Sequence, residues 1–114
     1  MRIFWLDREE ALKRVEEAAR RLLAEKPEVR EVVLFGSLAE GRAVPGSDVD
    51  LLIILSKSEK DFLSRKDDYL TYFSDVGLPC DLFCYTEEEI KNNPFARDVL
   101  QRGIRLSKNC DDAL

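Results

Sequence analysis

Gly36-Ser37 and, eleven residues after that serine, Asp48-Val49-Asp50 are the residues whose types and spacing could do chemistry in this chain. The glycine-serine pair ends one apolar run, and the two aspartates stand at the mouth of the next. A strand turns alternate side chains to one face, so Asp48 and Asp50 should point the same way. Carboxylates at that spacing lie roughly 6 to 7 Å apart and repel by about 2 to 3 kcal/mol at the effective dielectric of a protein surface. A divalent metal carrying a phosphate would neutralise them.

The surrounding residue types suit that chemistry. Gly36 lets backbone approach a ligand where a Cβ would intrude. The Ser37 hydroxyl and the amides of the following turn offer donors to phosphate oxygens. Carboxylates are hard oxygen ligands that suit Mg2+, with Mn2+ as the alternative. Two such ions bridged by Asp48 and Asp50 would orient a triphosphate and stabilise the attacking and leaving oxygens. Asp81 opens a later apolar run as Asp48 opens its own, which makes it the candidate third carboxylate. It would bind the catalytic metal and take the acceptor's proton, work that no histidine in this chain can do. Arg42 and Ser47, in the loop before the aspartates, are candidates for phosphate contact.

Taken singly, each feature has a plainer structural explanation. A serine after a strand is a common turn, and aspartates are common where a strand begins. The coincidence of both at this spacing is what points to a site.

The elements that must position these residues follow from patterning. Asp7-Arg8-Glu9-Glu10 resembles a capping box opening a helix to about Glu25, with Leu12, Val15, Ala19, Leu22 and Leu23 as its buried stripe. Val32 to Phe35 forms a short buried strand, after which Ser37 caps a helical turn over Leu38 to Glu40 that Gly41 closes. Arg42 to Ser47, with Pro45-Gly46, is a loop. Val49 to Leu55 is apolar on both faces beyond its aspartates, the pattern of a central, covered strand. Ser58 is expected to open a second long helix, with Phe62, Leu63, Leu70, Phe73 and Val76 inward and Lys57, Lys60, Arg65 and Lys66 wet. Cys80 to Tyr85 makes a third strand, Thr86-Glu87-Glu88-Glu89 caps a short helix, and a last helix runs near Phe95 to Arg102. Ile104 to Leu106 adds an edge strand. The expected fold is a small α/β layer: helices packed on a mixed sheet of three to four strands, one domain over 1–108 with a frayed tail at 109–114.

Composition narrows the function classes. The 114 residues suffice for one core. The absence of histidine removes Ser-His-Asp and Cys-His catalysis. A net charge of -5 argues against autonomous nucleic-acid binding. The apolar runs are too short to span a membrane, and no leader precedes the first helix, so a cytoplasmic location is the expectation. Cys80, Cys84 and Cys110 lack zinc spacing and are expected to be reduced thiols.

The pattern Gly36-Ser37, ten residues, Asp48-x-Asp50, then an isolated Asp81 on a later strand resembles the DNA polymerase β-like nucleotidyltransferase superfamily. Within it, Gly36-Ser37-x-Ala39-x-Gly41 with Ser47-Asp48-x-Asp50-Leu51 is similar to the minimal nucleotidyltransferases, the antitoxins of HEPN/MNT toxin-antitoxin pairs. The resemblance spans roughly residues 8 to 106. It implies transfer of AMP from ATP onto a tyrosine hydroxyl of a partner HEPN ribonuclease toxin, with assembly as a hetero- or homo-oligomer. The alternatives are an antitoxin that neutralises by binding alone and a small-molecule nucleotidyltransferase. One departure bears on rate: Glu40 stands where the family often has arginine, and Arg42 is placed to compensate.

Overall fold

The computed structural model describes residues 8–42 and 47–108. Four strands, β1 (Val29–Phe35), β2 (Val49–Leu55), β3 (Cys80–Thr86) and β4 (Ile104–Lys108), form one mixed sheet in the order β3-β2-β1-β4. β1 runs antiparallel to both of its neighbours, and β2 and β3 run parallel. The helices are α1 (Arg8–Glu25), α2 (Ser37–Glu40), α3 (Phe62–Arg65), α4 (Glu87–Ile90) and α5 (Pro94–Arg102).

β2 is apolar throughout because both of its faces are covered. Leu51, Ile53 and Leu55 pack with Val15, Ala19 and Leu22 of α1. Leu52 and Ile54 pack on the other side with Ala96 and Val99 of α5. Period-2 alternation therefore assigns Asp50 to the α5 face, together with Phe35 and Phe83. The sheet, with α1 buried along one stripe and α5 opposite, bears out the expected α/β layer. α4 carries the expected capping box: Thr86 Oγ1 accepts from the Glu89 amide, and the Glu89 side chain accepts from the Thr86 amide.

Several expectations need correction. The second long helix does not form. Its place is taken by α3 and two 3-10 turns, Lys66–Asp68 and Leu70–Phe73. The physical reason is that this segment wraps the outer edge of β3. Phe62 packs against Tyr85, ring centroids 4.9 Å apart, on one face of the sheet, whereas Tyr69 and Phe73 enter the core on the other. One helical stripe cannot serve both faces. Leu63 and Leu70, expected inward, are 71% and 40% exposed, while Arg65, expected wet, is only 6% exposed.

Smaller differences follow the same logic. Ser37 is the first residue of α2 and not its cap; Gly36 holds that position, without a side-chain hydrogen bond. β1 begins at Val29, ahead of the expected Val32, because Val29 pairs with Leu55 before a bulge. The capping residue Asp7, the Pro45-Gly46 turn, Cys110 and the 109–114 tail lie outside the described residues.

Candidate active site

The turn after β1 is built to pass close to β2. Phe35 pairs across to Asp50, so the next residue, Gly36, lies beside the aspartate side chain. Its φ of 83° and ψ of -159° are conformations glycine alone adopts freely. A Cβ at this position would collide with the Asp50 carboxylate and lie 3.2 Å from its Cγ. Glycine is required here twice over, by backbone and by space. Leu38, fully buried, anchors the short α2 that follows. Arg8 donates to the carbonyls of Leu38 (3.0 Å) and Ala39 (3.2 Å), which ties the turn to α1.

The carboxylates come together at this end of the sheet. Parallel register sets Asp81 of β3 directly beside Asp50 of β2. Asp48 is exposed just ahead of β2, where the Val49 amide donates to the Pro79 carbonyl at 2.7 Å and draws the starts of β2 and β3 together. Electrostatics report the convergence: the Asp50 carboxyl is raised above its ordinary range by burial first, then by the negative charges of Asp81 and Asp48. The Cys80 thiol is pushed up to about 11 by burial and by the same two aspartates. Cys84, buried behind it, is pushed up to about 12, chiefly by burial. Both thiols are free and protonated at neutral pH, so neither is a nucleophile.

This donor set fits a divalent cation bound by hard oxygens. Mutually repelling carboxylates, one of them half-buried, gain most from such an ion. Among the described residues, no three acidic or cysteine groups form a closed cage. An ion of the magnesium class does not need one, because it binds through one or two carboxylates together with substrate phosphates and water.

The other candidates sit around this centre. Ser37 is half-buried at the start of α2, and Ser47 is half-buried one residue ahead of Asp48. Arg42 is exposed, and its Nε pairs with Glu40 Oε1 at 2.9 Å. The pair neutralises the carboxylate that departs from the arginine pattern. Arg42 is held by the far end of α2, not over Gly36.

The fold also brings up aromatic residues that patterning alone did not place at the site. Phe35, cross-strand partner of Asp50, and Phe83, two residues beyond Asp81, lie 5.6 Å apart. Phe95, at the start of α5, sits 5.6 Å from the first ring and 5.7 Å from the second and is partly exposed. An aromatic shelf thus adjoins the carboxylates on their own face. The signal for it was present in the pairing of Phe35 with Asp50, which only the register discloses.

Comparisons with known proteins agree with this fold. A "putative protein adenylyltransferase" of Methanocaldococcus jannaschii is 26% identical over 86 residues, covering 75% of this chain and 83% of that protein. The crystal structure of a "putative nucleotidyltransferase" from Sulfolobus solfataricus superposes with a TM-score of 0.67 at 22% identity, over 89% of this chain and 83% of the other. A chain of a toxin-antitoxin complex with AMP-PNP gives 0.61 at 18% identity (85% and 73% covered). A chain of the MntA-HepT toxin-antitoxin complex gives 0.54 at 16% (86% and 70%). Residues 12–106 match the family described as the nucleotidyltransferase domain, and that match includes the turn at Gly36 and all three aspartates. The chain belongs to the nucleotidyltransferase domain family.

Proposed function

We propose that this chain transfers AMP from ATP to a hydroxyl, a tyrosine, of a partner HEPN-type ribonuclease toxin and so acts as its antitoxin. The observation that carries this reading is the register that sets Asp81 beside Asp50, with Gly36 against the Asp50 carboxylate. The relative named as a protein adenylyltransferase and the toxin-antitoxin neighbours, one holding AMP-PNP, supply the substrate and partner classes.

In this reading Gly36 and Ser37 receive the triphosphate, with Ser47 and Arg42 at its margin. Asp48, Asp50 and Asp81 would hold Mg2+ or Mn2+, which when bound offsets phosphate charge and lowers the acceptor's pKa. The acceptor oxygen attacks the α-phosphorus, forming a new P–O bond. The bond from that phosphorus to the bridging oxygen breaks, and pyrophosphate leaves with the electron pair. Asp81 takes the hydroxyl proton and passes it to solvent.

The test is to incubate the chain with Mg2+, ATP labelled at the α-phosphate, and the ribonuclease encoded beside its gene. Label should move onto that protein and its ribonuclease activity should fall. Asp48→Ala with Asp50→Ala should abolish both effects. Neutralisation that survives those substitutions would instead favour an antitoxin acting by contact alone.

A further inference from the structure

The aromatic shelf has a defined place relative to the carboxylates. Across the sheet, one row runs from Asp81 on β3 through Asp50 on β2 to Phe35 on β1, with Gly36 next along the chain. The following row inward sets Phe83 beside Leu52. β1 and β3 flank β2 and so lie about 9.5 Å apart at ordinary strand spacing. The Phe35 and Phe83 rings nevertheless come within 5.6 Å of each other. They therefore meet above β2, just inward of Asp50 and over buried Leu52.

Phe95 closes over both rings, at 5.6 and 5.7 Å. Its place is fixed by the start of α5, where the Asn93 side chain accepts from the Ala96 amide at 2.9 Å. Buried Ala96 and Val99 hold that helix on the sheet. Yet Phe95 is 43% exposed, the one exposed ring among the described phenylalanines. The three rings meet at 59° to 77°, so none lies flat on another. The open ring tops a contiguous aromatic cluster beside charged groups and is not a scattered surface side chain.

We propose that this shelf is the base subsite, with the base of the bound nucleotide lying against Phe95. This rests on the transfer reading above and adds where the nucleoside goes. In that reading the pyrophosphate leaves on the Gly36 side, and the attacking hydroxyl enters in line with it, from the Asp81 side. The line of reaction runs across the strands. The ribose departs from phosphorus at an angle to that line, which directs it along the strands. Outward from Asp50 the strands end, and inward is the shelf. Phe83 stands two residues beyond Asp81, about 6.6 Å along the strand, a gap that a ribose spans. An acceptor's ring belongs on the line itself, at the outer edge of β3 and off the shelf. Hydrocarbon rings hold a base by its face, and every base has one. Phe95 thus supplies affinity and orientation, not the choice between adenine and guanine.

Calorimetric titration of the full chain in Mg2+, with AMP-PNP and separately with inorganic tripolyphosphate, tests the proposal. Wild type should bind AMP-PNP more tightly than tripolyphosphate. Phe95→Ala should weaken AMP-PNP by about tenfold, and Phe95→Leu, which keeps apolar bulk for folding, by about fivefold. Tripolyphosphate binding should change by less than about twofold in either variant, because it lacks the base. Phe95→Trp should restore AMP-PNP affinity. Its added indole fluorescence, measured against wild type with Trp5 alone, should be quenched by AMP-PNP and not by tripolyphosphate. In label transfer, Phe95→Leu should raise KM for ATP and leave KM for the partner protein unchanged.

Wild-type affinity for AMP-PNP no greater than for tripolyphosphate, parallel losses of both ligands in Phe95→Leu, or unchanged AMP-PNP binding in Phe95→Ala overturns the shelf. So does a raised KM for the partner with KM for ATP unchanged, which would assign the rings to the acceptor. The expected binding without label transfer overturns the transfer reading and supports the shelf. A wild-type chain that binds neither ligand overturns both.

Discussion

Arg65 and Glu89 meet in a two-point ion pair across the outer edge of β3, with Nη1 to Oε1 at 2.7 Å and Nη2 to Oε2 at 3.0 Å. The same guanidinium donates to the carbonyls of Cys84 and Lys60, both at 3.0 Å. Glu89 also accepts from the Thr86 amide, so a single carboxylate closes α4 and holds Arg65 in place. This arrangement replaces the wet lysine-arginine face expected of a long helix. Replacing Arg65 by Met removes four donors and leaves the Cys84 carbonyl without a partner. The expected cost is about 2 to 3 kcal/mol, below that of breaking a fully buried pair because Glu89 remains partly in water. The urea midpoint of unfolding measures it.

The same pair makes stability depend on acid. The Arg65 hydrogen bonds, helped by the Thr86 amide, hold the Glu89 carboxyl down at about 2, against an ordinary value of 4.5. A carboxyl depressed on folding contributes stability that is complete above its unfolded pKa and is lost as pH falls through the folded one. The contribution should therefore be whole at pH 6 and fade between pH 4.5 and about 2. Glu89→Gln should lower stability by about 1 kcal/mol at pH 6, a figure reduced for solvent screening. The gap between variant and wild type should close as pH approaches 2. Urea melts across that range test this.

Asp50 should trade stability against activity. Its carboxyl is half-buried and faces the charges of Asp81 and Asp48, which raise its pKa. Asp50→Asn keeps the shape and removes one of the three negative charges. With EDTA present at pH 7, the variant should be more stable than wild type, by roughly 0.5 to 1 kcal/mol. With Mg2+ and ATP the order should reverse, since only the wild type gains from binding. Label transfer by the variant should be lost. Paired thermal melts with and without the ion provide the comparison.

Local patterning carried most of the fold. α1 and α5 each obey one helical period and β2 is one continuous apolar run, and each has a clear stop, at Pro27, Gly103 and Ser56 respectively, so their positions follow from local patterning. The segment from Ser58 to Val76 defeated the same method because its apolar residues serve two faces of the sheet, with Phe62 against Tyr85 and Phe73 against α1's side. No single periodicity encodes a chain that turns a corner. The site divides likewise. Gly36, Asp48 and Asp50 were legible from short-range spacing, and Asp81 from its place at the start of a strand. The aromatic shelf of Phe35, Phe83 and Phe95 depends on strand order and register, which are long-range properties.

Gly36→Ala isolates the close approach on which the site depends. Alanine at φ 83° and ψ -159° is strained whatever surrounds it, and its Cβ would also collide with the Asp50 carboxylate. Gly41 is the natural control: its φ is 77°, in the left-handed region, but among the described residues nothing lies within 4 Å of an added Cβ. Gly41→Ala should cost only the backbone term, about 1 kcal/mol, and leave label transfer near wild type. Gly36→Ala should cost about 2 to 3 kcal/mol and should also displace the Asp50 carboxylate. A shift of that kind at a reacting centre costs about a hundredfold in rate. Measuring both variants well below their melting temperatures separates lost folding from lost geometry. Equal activity of Gly36→Ala and Gly41→Ala would show that the contact between the turn and Asp50 is not what positions the carboxylate.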